Sequence, residues 1–147
     1  MRSSGKINMW NEEQYDAFSA EMETTFPKMF GEPYGGFCCG QGWWPILKSL
    51  CGQIQHHIDW KNEQKEKYGR GEGCAQVTVN QIKEKFGGLR FYYSGGDDMI
   101  HGMVRMAESW AGHACEDCGS PGTSRSGGWI RTLCDKHEEE RQVLMKL

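Results

Sequence analysis

The sequence has no long hydrophobic run and no excess of positive charge. No stretch approaches the roughly 18 consecutive apolar residues that a membrane-spanning helix requires. Lysine and arginine together number 17, against 20 aspartates and glutamates, which gives a formal net charge of −3. Proteins that bind nucleic acid mainly by neutralising phosphates usually have a basic excess. We therefore expect no membrane partner, and any nucleic-acid binding would depend on a local basic patch.

The first ten residues, MRSSGKINMW, lack the apolar segment of a secretory signal peptide. This absence predicts a cytoplasmic protein with reduced thiols. Residues 1–8 are polar, and we expect them to be flexible. Seven cysteines in a reducing compartment are better explained by metal binding and burial than by disulfides, and an odd number cannot all pair.

Hydrophobic residues are scarce, at 37% of the chain, but aromatic residues reach 12%. Because each aromatic ring buries a large area, a modest core is still achievable, and the aromatics also leave room for a homodimer face. Twenty glycines predict tight turns and short elements. The length of 147 residues fits one domain with a small metal-stabilised module.

Three helices are predicted before residue 115. Asn11 fits the N-cap of the first, which should end near Thr25 because a proline follows. Pro45 fits the first position of the second helix, and Asp97 or Asp98 caps the third. The residues that these helices are expected to bury are Tyr15, Phe18, Met22, Ile46, Leu47, Leu50, Cys51, Ile54, His57, Ile58, Ile100, Met103, Val104, Ala107, Trp110 and Ala111.

Residues 75–94 have the alternating, β-branched pattern of a β-hairpin. Gly87–Gly88 is the predicted turn between its strands. The alternation of the first strand breaks between Val79 and Ile82, which predicts a bulge. The expected fold class is α+β, with helices packed on a small antiparallel β-hairpin or sheet.

Four residues near the C-terminus have the spacing of a metal site. Cys115 and Cys118 are separated by two residues, as are Cys134 and His137, and fifteen residues lie between the pairs. Zinc prefers four such sulfur and nitrogen ligands in a tetrahedron, and one turn can supply two of them. Four protein ligands leave no open position, so we predict a structural Zn²⁺. The alternatives are His113 as the fourth ligand, or free buried cysteines with a surface histidine.

The residues around this motif agree with its spacing. Residues 119–122, GSPG, can form the tight knuckle of a zinc site, residues 129–133 fit a strand, and residues 135–147 favour a helix. Knuckle, hairpin and ligand-bearing helix in this order make a treble-clef-like zinc module. Because the core of such a module is small, we expect metal removal to unfold residues 115–147 preferentially.

The predicted domain organisation therefore has three parts. A flexible N-terminus at residues 1–8 precedes an α+β core at 9–114, which contains the hairpin at 75–94 and a helix at 97–114. A zinc-binding module at 115–147 completes the chain.

No complete catalytic motif is present, and we predict no catalytic residue. Cys38 and Cys39 lie in a glycine-rich loop and are candidate nucleophiles, with His56, His57 or His101 as the base. Nothing in the sequence orients such a pair, and His57 is better interpreted as a partly buried core histidine. The cysteines outside the C-terminal motif are irregularly spaced, which disfavours a second metal site.

The hairpin combines positive charge with aromatic rings around its turn. Such a surface can hold a phosphate with lysine or arginine while an aromatic ring stacks on a base. The alternative is a packed hairpin whose charged face is only solvated. The predicted ligand-binding residues are Lys83, Lys85, Arg90, Tyr92, Trp43, Trp44 and Arg131.

Two strings, KEKFGGLRFY at 83–92 and CEDCGSPG…GGWIRTLCDKH across 115–137, together resemble a group of small proteins encoded by tailed phages and prophages. GGFCCGQGWWPIL at 35–47 is similar to the segment before that group's second helix. The group is largely uncharacterised, so the resemblance implies context and no activity. Small accessory phage proteins often inhibit a host defence system by sequestering a nucleotide signal or blocking a protein.

The predicted function is that of a phage-type accessory binding protein stabilised by structural zinc. It is expected to act in the host cytoplasm as a non-catalytic antagonist of a defence system. Its partner would be a nucleotide-type small molecule or a host protein. One alternative is a nucleic-acid-binding zinc-module protein in phage regulation or replication, which the acidic run Glu138–Glu140 disfavours. The other is a cysteine-dependent enzyme.

Overall fold

A computed structural model describes residues 11–147, and the prediction of a flexible segment at residues 1–8 lies outside this range. Helices alternate with short strands in it, which confirms the α+β class. The elements are α1 (Glu12–Thr25), β1 (Phe37–Cys38), α2 (Trp44–Tyr68), β2 (Thr78–Lys85), β3 (Gly88–Ser94), α3 (Asp98–Ala111), β4 (Thr123–Arg125), β5 (Arg131–Leu133) and α4 (Asp135–Met145).

The first two helices begin and end where local sequence signals predict. The Asn11 side chain accepts a hydrogen bond of 2.7 Å from the backbone N–H of Glu13, and α1 ends at Thr25. Helix α2 begins one residue before Pro45 and ends at Tyr68, and the following Gly69 has a φ of 63°, the left-handed conformation typical of the residue after a helix. None of the helices among residues 11–147 is both long and apolar enough to cross a membrane.

Helix α3 has the predicted cap but a different buried face and end. The Asp97 side chain accepts a hydrogen bond of 3.1 Å from the backbone N–H of Ile100. The helix ends at Ala111 instead of residue 114, because the chain turns there toward the C-terminal module. Trp110, predicted to be buried, is 60% exposed, since it points about 100° away from its buried neighbour Ala111.

The hairpin is confirmed, but its turn lies one residue earlier than predicted. Lys85 pairs with Gly88, so Phe86 and Gly87 form the turn. Both have positive φ, at 54° and 79°, as a type I′ turn requires. The predicted bulge is confirmed at Asn80, where the pairing register shifts.

A third strand joins the hairpin and makes the sheet mixed. Strand β1 pairs with β2 in parallel, with Phe37 opposite Ile82 and Cys38 opposite Lys83. The sequence pattern indicated only turns in this glycine-rich stretch, because a strand of two residues is too short to show alternation. β1 thus covers the edge of β2 that β3 leaves free.

One face of the sheet packs against the helices and carries the core. Ile82, Leu89 and Phe91 are buried on this face. Aromatic rings fill the adjoining space: Phe18 stacks on Trp44 with 4.5 Å between ring centroids. The opposite face of the sheet is therefore left for polar side chains.

The C-terminal module packs closely on the segment before α2. The backbone N–H of Gly42 donates a 2.8 Å hydrogen bond to the carbonyl of Glu116. The indole N–H of the fully buried Trp43 donates to the carbonyl of Ala114 at 2.9 Å. A Cβ atom on Gly42 would lie 2.1 Å from the carbonyl oxygen of Cys115, so only glycine permits this approach.

A second junction joins the module to the hairpin turn. The Thr132 hydroxyl donates a 2.7 Å hydrogen bond to the carbonyl of Gly87. A Cβ atom on Gly87 would lie 3.1 Å from the side chain of Ile130, which shows how closely the two segments pack. The hairpin turn and the C-terminal module are thus neighbours on the surface.

We predict that Gly42→Ala lowers the free energy of unfolding by about 1–3 kcal/mol or more, because the added methyl group meets rigid backbone atoms. Urea denaturation followed by circular dichroism measures the effect. The matched control is Gly102→Ala in α3, where a Cβ meets no atom within 4 Å. It should stabilise the helix by about 0.5–1 kcal/mol. Equal midpoints for Gly42→Ala and the wild-type chain would contradict the close approach.

Candidate metal centre

The four predicted metal ligands come together from two segments of the module. Cys115 and Cys118 lie on the loop after α3, Cys134 caps α4, and His137 lies in its first turn. Their ligand atoms all lie within 4.8 Å of one another. Cys115, Cys118, Cys134 and His137 therefore form a cluster that could hold a metal ion.

The distances within the cluster match a tetrahedron with an ion at its centre. The Cys118 and Cys134 sulfurs are 3.8 Å apart. The His137 Nδ1 atom is 3.6 Å from the Cys115 sulfur and 3.2 Å from the Cys134 sulfur. Metal–sulfur bonds of about 2.3 Å and metal–nitrogen bonds of about 2.0 Å place tetrahedral ligands about 3.8 Å apart for two sulfurs and about 3.6 Å apart for sulfur and nitrogen. His137 would bind through Nδ1.

The first ligand pair is positioned by the predicted knuckle. The backbone N–H of Gly119 donates to the carbonyl of Cys115 at 2.8 Å, and the φ of 83° at Gly119 allows the chain to turn there. The N–H of Cys115 donates to the carbonyl of Ser120 at 2.7 Å. In the second pair, the Cys134 sulfur accepts the backbone N–H of His137 at 3.4 Å. Backbone hydrogen bonds therefore orient both pairs.

The thiols of the first pair differ in acidity. Burial raises the pKa of Cys115 to about 11. At Cys118 burial also acts to raise the pKa, but hydrogen bonds from the side chain and backbone of Ser120 outweigh it and lower the pKa to about 6. Cys118, which is exposed, therefore deprotonates more readily than Cys115, and a bound cation would favour the thiolate form of both.

His113 is not part of the cluster. Its backbone carbonyl accepts the N–H of Gly122 at 2.9 Å, and its side chain is exposed. The alternative that His113 supplies the fourth ligand is therefore wrong, and His137 occupies that position.

Two buried carboxylates and one arginine lie directly beside the first ligand pair. Arg131 contacts Asp117 at 2.7 Å and Glu116 at 3.3 Å. The other oxygen of Glu116, a fully buried residue, accepts the backbone N–H of Gly40 at 2.9 Å. Arg131 was predicted to extend the ligand-binding surface. That prediction is corrected, because its guanidinium is buried and committed to these carboxylates.

The two tryptophans predicted to join the ligand surface pack against the core instead. Trp43 is fully buried beneath the module, and Trp44 is half-buried, with its ring stacked on Phe18. The apolar area that both rings bury stabilises the core at the start of α2. This prediction too is corrected.

The remaining four predicted residues do share one face of the sheet. Lys83 lies directly opposite Arg90, and two residues further along β3, Tyr92 lies opposite Gln81. Lys85 follows on the same face of β2, since alternate residues of a strand point to the same side. We name Lys83, Lys85, Arg90 and Tyr92 the basic face. That this face binds a ligand stays a prediction.

Phe86 at the hairpin turn is a candidate that sequence reasoning missed. Its φ of 54° is unusual for a residue other than glycine, and its side chain is 73% exposed. Lys85 lies over its ring at 5.7 Å from the centroid. The strand alternation could not have located this turn, because a turn at Gly87–Gly88 would place Ile82 and Leu89 on the same face of the sheet as the observed turn does.

The predicted cysteine nucleophiles are not paired with the predicted bases. The Cys38 thiol points to the carbonyl of Gly35 at 3.6 Å, and Cys39 is fully buried. His57 is instead within 2.8 Å of Asp97. The contacts of Cys38 and His57 therefore do not support the predicted nucleophile–base pair.

No protein family matches this chain, and no curated protein or solved structure is significantly similar to it.

We predict that Arg131→Met lowers the free energy of unfolding by about 3–5 kcal/mol, because it leaves Glu116 and Asp117 buried without a counter-charge. Chemical denaturation measures the loss. The control is Lys67→Met, which removes an exposed partner of Glu63 and should change stability by about 0–1 kcal/mol. If both variants unfold at the same midpoint, the buried charges do not support the module.

Proposed function

We propose that this is a non-catalytic binding protein of phage type, stabilised by structural zinc, whose basic face binds a nucleotide-type ligand. It acts in the cytoplasm of the bacterial host and antagonises a defence system by sequestering a nucleotide signal. The observation that carries the proposal is the direct opposition of Lys83 and Arg90 on the exposed side of the sheet, beside Tyr92.

Zinc is the proposed ion at the C-terminal cluster. Three thiolates and one imidazole are soft and borderline ligands, which suit zinc better than magnesium or calcium. The ligand spacing fits a tetrahedron, which zinc adopts in structural sites. With four protein ligands no position is left for a reactive water, so the ion stabilises the module and takes no part in chemistry.

Charge repulsion within the basic face destabilises the sheet, and a bound anion would remove this repulsion. Like charges directly opposite each other on neighbouring strands destabilise a sheet. Among the described residues neither Lys83 nor Arg90 has a carboxylate partner. The Arg90 guanidinium extends along Gly88 toward the turn, since a Cβ atom there would lie 3.6 Å from its nitrogen. A phosphate above the two strands can accept charged hydrogen bonds from both cations.

Aromatic rings next to these cations suit the base of a nucleotide. Tyr92 is 43% exposed on the same face as Arg90. A base stacked on an aromatic ring gains about 1–3 kcal/mol. The combination of two phosphate-binding cations with one exposed ring therefore favours a small nucleotide over an inorganic anion.

A second candidate function is the blocking of a host protein. Phe86, Trp129 and Ile130 are 73%, 44% and 39% exposed around the hairpin turn. Exposed aromatic residues beside a cation are typical anchors of protein interfaces. This apolar patch adjoins the basic face through Lys85, so one partner can contact both.

The phage context is supported by the resemblance of the hairpin and metal-site strings to proteins of tailed phages and prophages. The hairpin string spans residues 83–92 and includes every residue of the basic face. The second string, at 115–137, includes all four ligands of the C-terminal cluster. Both strings therefore coincide with the two parts of the molecule on which the proposal depends.

We predict that Cys118→Ser lowers the bound zinc by about one equivalent per chain, measured by elemental analysis, because it removes one of four ligands. Cys38→Ser, which removes a thiol elsewhere, should leave the zinc content unchanged. Cys118 and His137 line a surface cavity, so a chelator can reach the ion. Unchanged zinc in Cys118→Ser would exclude the proposed centre.

Removal of the ion by a chelator should also allow the amide protons of Gly42 and Glu116 to exchange with solvent before those of the hairpin. The N–H of Gly42 is bonded to Glu116, and the N–H of Glu116 is bonded to Thr132, so these amides depend on the module. Hydrogen exchange with mass spectrometry should show their early loss of protection while β2 and β3 stay protected. Simultaneous loss throughout the chain would mean that the metal supports the whole fold.

We predict that nucleotide binding, measured by calorimetry against cyclic and linear nucleotides, weakens about tenfold in each of Lys83→Gln and Arg90→Gln. Each variant loses one charged contact to a phosphate. The control is Lys67→Gln, an exposed lysine near the end of α2.

Other results would separate the alternatives. If calorimetry detects no binding of any nucleotide, the proposal that the protein sequesters a nucleotide signal is excluded. Retardation of DNA or RNA at low salt, lost steeply as salt rises, would favour the nucleic-acid alternative. Capture of a host protein that is lost in Phe86→Ser, with no nucleotide bound, would favour the blocking function.

A further inference from the structure

A second cluster of metal-binding side chains lies between the middle of α2, the loop that follows it and the start of α3. His57, Cys74 and Asp97 place one ligand atom each within 4.8 Å of the others. None of them belongs to the C-terminal centre or to the basic face. The three side chains are half-buried, so they are shielded by the core but remain accessible from solvent.

We propose that His57, Cys74 and Asp97 bind a divalent transition metal ion with one coordination position left open. An imidazole, a thiolate and a carboxylate together suit zinc or cobalt and are a poor set for calcium or magnesium. Sites with three protein ligands keep a fourth position for water or another ligand. This centre therefore differs in kind from the closed C-terminal cluster.

Cys74 is held in place by contacts that do not involve the proposed ion. The backbone N–H of Cys74 donates to the side-chain oxygen of Asn62 at 2.8 Å. The side-chain amide of Asn62 donates back to the Cys74 carbonyl at 3.1 Å. Asn62 lies on α2, five residues after His57, so the helix that carries one ligand also positions another.

The two carboxylate oxygens of Asp97 have different partners. One oxygen accepts the backbone N–H of Ile100 at 3.1 Å and caps α3. The other lies 2.8 Å from Nε2 of His57. The backbone N–H of Gly96 donates to the carbonyl of Ala75 at 3.0 Å, which joins the loop before Asp97 to the loop of Cys74. The helix cap thus orients the carboxylate toward the cluster.

The separation of 2.8 Å between His57 and Asp97 is that of a hydrogen bond. An ion bound by both atoms would place them about 3.4 Å apart in a tetrahedral arrangement. A small rotation of the Asp97 side chain supplies this difference, and the ion then takes the place of the shared proton. Cys74, whose thiol must lose its proton, completes the set.

One helical turn beyond Asp97 lies an imidazole that contacts a phenol. His101 follows Asp97 by one helical turn, with its N–H donating to the Asp97 carbonyl at 3.0 Å. Its imidazole lies 3.4 Å from the hydroxyl of Tyr93 on β3. The ligand that we assign to the open position is a water molecule or a small anion, as at other metal sites with three protein ligands.

The test is a cobalt titration of the purified zinc-containing protein, followed by absorption spectroscopy and elemental analysis. We expect about one further equivalent of cobalt per chain, with thiolate-to-cobalt charge-transfer absorption and no loss of the zinc already bound. Cys74→Ser should abolish that absorption. Asp97→Asn should weaken cobalt binding by at least about tenfold while keeping the helix cap, because asparagine caps as well as aspartate.

The matched controls are Cys38→Ser and Asp98→Asn, which remove a thiol outside the cluster and a charge next to it. Both should bind cobalt as the wild-type chain does. The proposal is overturned if no further equivalent binds, or if Cys74→Ser and Asp97→Asn bind cobalt with unchanged affinity. Should Cys74→Ser fail to fold, the ratio of affinities between Asp97→Asn and Asp98→Asn decides the question.

Discussion

The fold depends on the burial of Glu116 between the core and the C-terminal cluster of Cys115, Cys118, Cys134 and His137. This residue separates the ligands of the knuckle, and its backbone and side chain bind four different partners. Its carbonyl accepts Gly42, its N–H donates to Thr132, and its carboxylate binds Gly40 and Arg131. A fully buried carboxylate is unfavourable unless every oxygen is satisfied, so these contacts must form together. Glu116 therefore fixes the loop of Cys115 and Cys118 against Gly40 and Gly42, which lie in the segment before α2.

This arrangement brings the basic face and the apolar patch of Phe86, Trp129 and Ile130 side by side. Because β5 contacts the hairpin turn through Thr132 and Gly87, the turn that carries the exposed ring of Phe86 packs beside Ile130 of the module. The basic face begins one residue before that turn, at Lys85. A metal ion bound at the C-terminal cluster would support the proposed binding function without touching the ligand, since it would stabilise the module against which the turn is packed.

Several features were predictable because their physical causes are local. Asn11 and Asp97 cap helices through hydrogen bonds to residues two or three positions later. Two residues separate the ligands within each C-terminal pair, because at this spacing one turn can supply both of them. The predictions that were wrong concern contacts between distant segments. Trp43 and Arg131 have the chemistry of a ligand surface, but the module covers the first and two carboxylates bind the second.

By itself the sequence determined the helix caps, the hairpin with its bulge, and which four residues form the C-terminal cluster, since each follows from neighbours within a few residues or from paired spacing. The tertiary structure alone decided which charged and aromatic residues stay exposed. It also brought together His57, Cys74 and Asp97, whose separations along the chain match no metal motif. Their proximity results from packing α2 against α3, and packing depends on side chains far apart in sequence.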